Sequence, residues 1–223
     1  MLEGVRLSCP ICEIRKEKRF CPAVHGRICA QCCGEQREVT LDCPSECVYL
    51  QQARRYERPQ PLEALDQNAL FPEVEIGERF LYQHEHLVLG LNYSLAKSAK
   101  SNLAIRDADL IAALTWLARS YKTLANSGLH YEAPATNIVH QAIASDIQKM
   151  IQEYREAEQK HTGYSRLKNS EVLRALVFLI RMGFTRTSGR PKSRAFVDFL
   201  LLQFPGSESA VAAADEGRRI IIP

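Results

Sequence analysis

Long apolar runs are missing from this sequence. The longest, Ala175 to Ile180, has six residues, far short of the roughly 20 that a membrane helix requires. Internal repeats are missing too, as are the phosphate-binding glycine loop and the nucleophile elbow of common enzyme classes. The chain is therefore read as a non-enzyme with no membrane association. At 46% hydrophobic and 25% charged residues, its composition excludes wholesale disorder, a collagen-like repeat and a coiled-coil rod. The opening Met-Leu-Glu-Gly has neither the charged start nor the apolar core of a signal peptide. The expectation is a cytoplasmic protein with reduced thiols.

Cysteine is absent from everything after Cys47, yet eight cysteines lie between Cys9 and Cys47. In a reducing compartment such crowding points to metal binding rather than a disulfide framework. Cys9-Pro-Ile-Cys12 and Cys29-Ala-Gln-Cys32 are C-x2-C knuckles, each turning two thiolates toward one ion, and two knuckles complete a tetrahedral four-sulfur site. Cys43-Pro-Ser-Glu-Cys47 is a third pair that runs into a helix N-terminus, where backbone N–H groups favour thiolate. Adjacent side chains point apart, so Cys32 and Cys33 feed different ions. The expected pairing is Cys9, Cys12, Cys29 and Cys32 around one zinc, and Cys21, Cys33, Cys43 and Cys47 around a second. His25 is a spare ligand for either.

Eight thiolates around two dications leave about four excess negative charges. Arg15, Lys16, Lys18, Arg19, Arg27 and Arg37 are interleaved to offset them and to donate hydrogen bonds to sulfur. An iron–sulfur cluster is the alternative cofactor, since soft thiolates suit both. Filled coordination positions argue for a structural ion. Residues 1 to about 50 carry too little apolar sequence for a core of their own, so the metal is expected to supply their fold.

The run Arg19-Phe-Cys-Pro-Ala-Val-His-Gly-Arg-Ile-Cys-Ala-Gln-Cys-Cys-Gly34, followed by Cys43-Pro-Ser-Glu-Cys-Val-Tyr-Leu50, resembles the cysteine module of a group of uncharacterised bacterial proteins. Gly128 to Ala135, Gly-Leu-His-Tyr-Glu-Ala-Pro-Ala, is similar to a segment of their helical part. The resemblance implies a two-module architecture and carries no activity with it. A weaker similarity links the Cys-Cys pair to the C-terminal zinc motif of the SecA translocase, although the C-x-C start and the Gly-Ser-Gly of that motif are absent here.

Beyond residue 50 the apolar pattern is helical. A helix is expected after Ser45 as N-cap, stopped by Pro59 and Pro61. Phe80, Leu81, His84, Leu87, Val88, Leu91 and Leu95 then predict one amphipathic helix from 76 to about 100. Asp107 is expected to cap a helix that Gly128 closes, and Thr136 the next one, buried through Tyr154. Asn169 and Glu171 open a helix closed by Gly183, and Ser193 to Phe204 forms the last. The fold class is mainly all-α: a cysteine-rich module over 1–58, an irregular bundle of four to six helices over 62–205, and a mobile tail over 206–223.

Charge is unevenly distributed. Between Lys160 and Arg194 lie nine Lys/Arg and a single acid, Glu171. Arg186, Arg190, Lys192 and Arg194 concentrate this charge in a loop that suits RNA or DNA phosphates. The competing reading is a solvated face, or one docked on the acidic Glu73, Glu75 and Glu78. His84 and His86, two apart on a helix, face different sides and do not chelate together. His130, Tyr131 and Glu132 are read as capping and packing residues, and Trp116 as ordinary packing. The function expected is a zinc-binding module that engages a protein partner, with nucleic-acid binding as the alternative and a redox or iron–sulfur role as the third.

Overall fold

The computed structural model describes residues 8–57, 61, 65–128 and 137–205. The tail 206–223, Pro59, Thr136 and the His130, Tyr131, Glu132 group lie outside the described residues. The fold is mainly α-helical with a cysteine cluster at its N-terminal end. Among the described residues the only sheet is one hairpin, β1 (Arg19–Cys21) paired antiparallel with β2 (Gly26–Ile28). Two short helices complete the cysteine-rich part, α1 (Ala30–Gln36) and α2 (Val48–Tyr56). The helical part comprises α3 (Gln67–Leu70), α4 (Glu78–Gln83), α5 (Glu85–Ser101), α6 (Asp107–Ser127), α7 (Ile138–Thr162), α8 (Asn169–Arg186) and α9 (Ala195–Gln203).

Helix α6 is central and packs most extensively on α8, with α5 and α7 also paired. Leu87, Leu91, Leu95, Leu110, Leu114, Leu117, Ile147, Leu176 and Phe196 are fully buried at helical spacing. Burying each such side chain contributes about 1.5–3 kcal/mol. This core is built from the helical part alone, its connecting residues Phe71, Val74, Ile105 and Leu167 included. The cysteine-rich part has a separate, smaller cluster in which Ile28 and Leu41 are joined mainly by the thiols themselves.

Several predicted boundaries move. The helix expected over 76–100 is two helices that meet at His84, whose φ of −116° leaves helical geometry. His84 is half-buried, 3.8 Å from Glu171 and 4.6 Å from the Phe80 ring centroid, whereas His86 is exposed. Asp107 is the first residue of α6 rather than its cap. Gly128 does close α6, with φ 69°. Asn137 caps α7 by accepting from the Val139 N–H. Ser45 does not cap α2; Cys47 occupies that position, and the Ser45 hydroxyl donates to Asp198.

Gly183 is interior to α8, not its end. A Cβ there would lie 2.9 Å from Ile111 Cγ1 and 3.2 Å from Phe196 Cε1. The glycine therefore sets how closely α8 approaches α6 and α9. Gly183→Val is expected to cost about 2 to 3 kcal/mol by overpacking, read as a lower urea midpoint at unchanged slope. Unchanged stability would mean that Ile111 and Phe196 have room to give.

Candidate metal centre

The two knuckles arise from different local structures. At Cys9 a tight turn closes through two 2.7 Å hydrogen bonds, from the Cys9 N–H to the Arg15 carbonyl and from the Glu13 N–H to the Cys9 carbonyl, with Glu13 at φ 55°. At Cys29 the chain leaves β2 and enters α1 directly. Cys29 is the N-cap, and its sulfur accepts from the Cys32 N–H at 3.3 Å. A thiol stands in for the serine or aspartate usual at that position, which places Cys29 and Cys32 on one side of the turn.

The tertiary fold then brings the knuckles together. The sulfurs of Cys9, Cys12, Cys29 and Cys32 all lie within 4.8 Å of one another, so the group can hold a metal ion. Cys12 and Cys29 Sγ are 4.0 Å apart, close to the edge of about 3.8 Å expected for a tetrahedron with metal–sulfur bonds of about 2.3 Å. Cys9, Cys29 and Cys32 are buried, and Cys12 is half-buried.

The surroundings of the four thiols pull their acidities in opposite directions. Desolvation pushes Cys9 up, but the N–H groups of Cys29, Cys12 and Ile11 outweigh it and bring its pKa down to about 6. The N–H groups of Arg15 and Ile14 lower Cys12 as well. Cys32 is pushed up to about 12, first by burial and then by the crowding sulfurs of Cys29, Cys12 and Cys9. The Arg15 guanidinium is held above its ordinary value, chiefly by its hydrogen bond to Cys29. Part of the cluster is stabilised as thiolate while the last thiol cannot ionise beside the others, and a dication removes that conflict.

In the metal-free chain a lowered Cys9 contributes stability above the ordinary thiol value, lost as pH falls through about 6. A raised Cys32 contributes below the ordinary value, lost as pH rises toward about 12. A bound dication requires the Cys32 proton to leave, so metal affinity rises with pH. Across neutral pH the apparent dissociation constant is expected to fall roughly tenfold per pH unit for each proton displaced. Competition with a chromophoric chelator measures this, and an affinity independent of pH would exclude the thiols as ligands.

The other four cysteines are less closely gathered. Among the described residues only the first group brings three or more sulfurs within that mutual distance. The Cys43 thiol is raised by burial and then by nearby Cys47 and Cys21, while the Glu38 N–H pulls it the other way. Cys33, buried on α1, instead has Arg19 Nη1 at 3.7 Å, and the same guanidinium lies 4.6 Å from the Tyr49 ring centroid. His25 is exposed in the hairpin turn at φ 49° and is not part of the four-sulfur group.

Within the basic segment, Lys160, Arg166, Lys168 and Arg174 are exposed, whereas the loop from Arg190 to Arg194 is turned inward. Arg190 Nη1 donates to the carbonyls of Gly34 and Arg37 at 3.0 and 2.6 Å, and Lys192 Nζ donates to Thr40 O at 2.6 Å. Arg194 bonds the carbonyls of Leu103 and Ile105. Arg186, exposed, stacks on Phe199 at 4.0 Å. Arg181 reaches the 70–74 stretch, but through the carbonyls of Leu70, Phe71 and Val74, whereas Glu73 pairs with Lys122. Docking on the acidic side chains of 73–78 is thus not what the loop does.

Sequence reasoning missed the residues that join the two parts. Glu38, 1% exposed at φ 54°, accepts from Arg54 Nη2 at 2.8 Å and Ser188 Oγ at 2.9 Å, while its carbonyl accepts from the Lys192 N–H. Arg54 also pairs with Asp198 at 2.6 Å, and Arg106 with Asp42 at 2.7 Å. With Glu35 and Asp42 close by and Arg37 the one neighbouring cation, nothing in the local sequence set Glu38 apart. Comparison with known proteins yields no relative: no family model, curated protein or solved structure matches this chain.

Proposed function

We propose that this protein is a non-enzymatic binding protein organised by a structural zinc module and working in a reducing, cytoplasmic setting. Cys9, Cys12, Cys29 and Cys32 hold one zinc, and Cys21, Cys33, Cys43 and Cys47 close around a second. The observation that carries the reading is the convergence of four sulfurs from two knuckles within 4.8 Å. That spacing favours a single ion over an iron–sulfur cluster, which interposes iron and sulfide between its thiolates and needs them further apart. Four protein ligands leave no open position for substrate or water.

A protein partner is supported by the apolar surface of the module. Ile14, Phe20, Val48 and Tyr56 are all more than half exposed, in a part of the chain with little apolar residue to spare. Elemental analysis of the full chain, purified without added metal, tests the reading. Two zincs per chain are expected, one of them retained when Cys43 and Cys47 are both replaced by serine. A brown, iron-containing protein supports the cluster alternative instead, and a metal-free, folded module with protonated thiols ends the proposal.

A further inference from the structure

We propose that the metal module is a latch on a nucleic-acid-binding loop: while the thiols hold their ion, the end of α1 and the turn that follows it, Gly34 to Thr40, occupy Arg190 and Lys192, and loss of the ion frees both for a phosphate backbone. This rests on the zinc reading above and adds a regulated activity to it.

This stretch is anchored from both sides by cysteines, with Cys32 and Cys33 immediately before it and Cys43 shortly after. Its carbonyls at Gly34, Arg37 and Thr40 supply the partners of Arg190 and Lys192. Its one buried acid, Glu38, accepts from Ser188 of the same loop. With little apolar core behind it, this turn depends on the metal for its position, and its grip on the loop depends on it in turn.

The loop has a different anchor. The Ser188 N–H donates to Ser193 Oγ, the Ser193 N–H to the Arg190 carbonyl, and Ser193 Oγ to Asp107 at the start of α6. Arg194 is tied to the carbonyls of Leu103 and Ile105. These bonds lie within the helical part and survive undocking, so the loop is presented already shaped, with Gly189 at φ 72° in its turn. Departure of the turn also carries away the Glu38 carboxylate, the acid that faces Ser188. From Thr187 to Arg194 the loop has hydroxyls, cations, a glycine and a proline but no large apolar side chain. That chemistry suits phosphate contacts on a nucleic acid and lacks the apolar anchors of a membrane-surface segment.

The test uses the full chain, zinc-loaded or zinc-stripped under reducing conditions with metal content verified, against a fluorescein-labelled single-stranded RNA. Anisotropy is expected to show at least tenfold tighter binding after stripping, with steep loss on raising salt, and the gain is expected to vanish in Arg190→Gln/Lys192→Gln. Trypsin is expected to cut after Lys192 only in the stripped protein, which reports undocking without reference to RNA. Equal RNA affinity in both states, or equal protection of Lys192, overturns the latch while leaving the zinc reading intact. Tighter binding to anionic vesicles but not to RNA overturns the nucleic-acid assignment. A chain that never binds zinc removes both readings.

Discussion

Cys32→Ser is expected to lower metal affinity by at least about a hundredfold and to unfold the cysteine-rich part while the helical part keeps its structure. Cys32 sits third in α1, its backbone N–H already bonded to the Cys29 sulfur, and its own sulfur completes the four-thiol group. A serine oxygen is a harder, shorter ligand that cannot restore the tetrahedron, and structural zinc contributes on the order of 10 kcal/mol or more to small modules. The helical core is built from separate residues, so far-UV helicity is expected to fall only by the share of α1 and α2. Hydrogen exchange resolves the two parts. The matching control is Cys33→Ala, whose sulfur faces Arg19 rather than the four-thiol group. It is expected to leave the first ion bound. Retention of wild-type affinity by Cys32→Ser, or equal loss from both variants, would show that the ligand set is wrong.

Asp107→Ala is expected to destabilise the helical part by about 3 to 5 kcal/mol, the range for stripping partners from a buried charged network. Asp107 is 1% exposed. Its carboxylate accepts from Ser193 Oγ at 2.7 Å and from the Val197 N–H at 3.0 Å, and its own N–H donates to the Ser193 carbonyl. It thereby joins the first turn of α6 to the first turn of α9, whose Phe196, Val197 and Leu200 are fully buried. Alanine leaves two buried donors without acceptors. Asn keeps one acceptor, and about half the loss is expected of Asp107→Asn. Urea unfolding monitored by helicity measures both. A loss under about 1 kcal/mol for alanine would mean that water replaces the carboxylate and that α9 docks by apolar packing alone.

The helices were legible because amphipathic spacing is a local property. Leu110, Leu114 and Leu117 recur at the helical period and are buried where that period places them. Boundaries were less legible. Gly183 carries the same residue type as a helix terminus, and only the nearness of Ile111 and Phe196 shows it to be a contact position. Ser45 has the chemistry of a cap, yet Asp198, distant in sequence, claims its hydroxyl. The cysteine spacing announced metal chemistry for a comparable local reason, since a C-x2-C turn commits two thiolates to one direction.

The basic loop is the clearest case of sequence underdetermining surface. Its cations look free in the sequence, because the groups that receive them are backbone carbonyls, and every residue has one. Arg190 and Lys192 are satisfied by Gly34, Arg37 and Thr40, none of which signals an acceptor by its side chain. The sequence by itself determined which atoms can grip a metal and which stretches coil into helices, because both follow from spacing over a few residues. Tertiary structure alone decided that Glu38 is buried between the two parts and that the loop carrying Arg190 and Lys192 faces inward. Those outcomes depend on desolvated contacts between segments more than a hundred residues apart, where burial rather than residue type selects the partner.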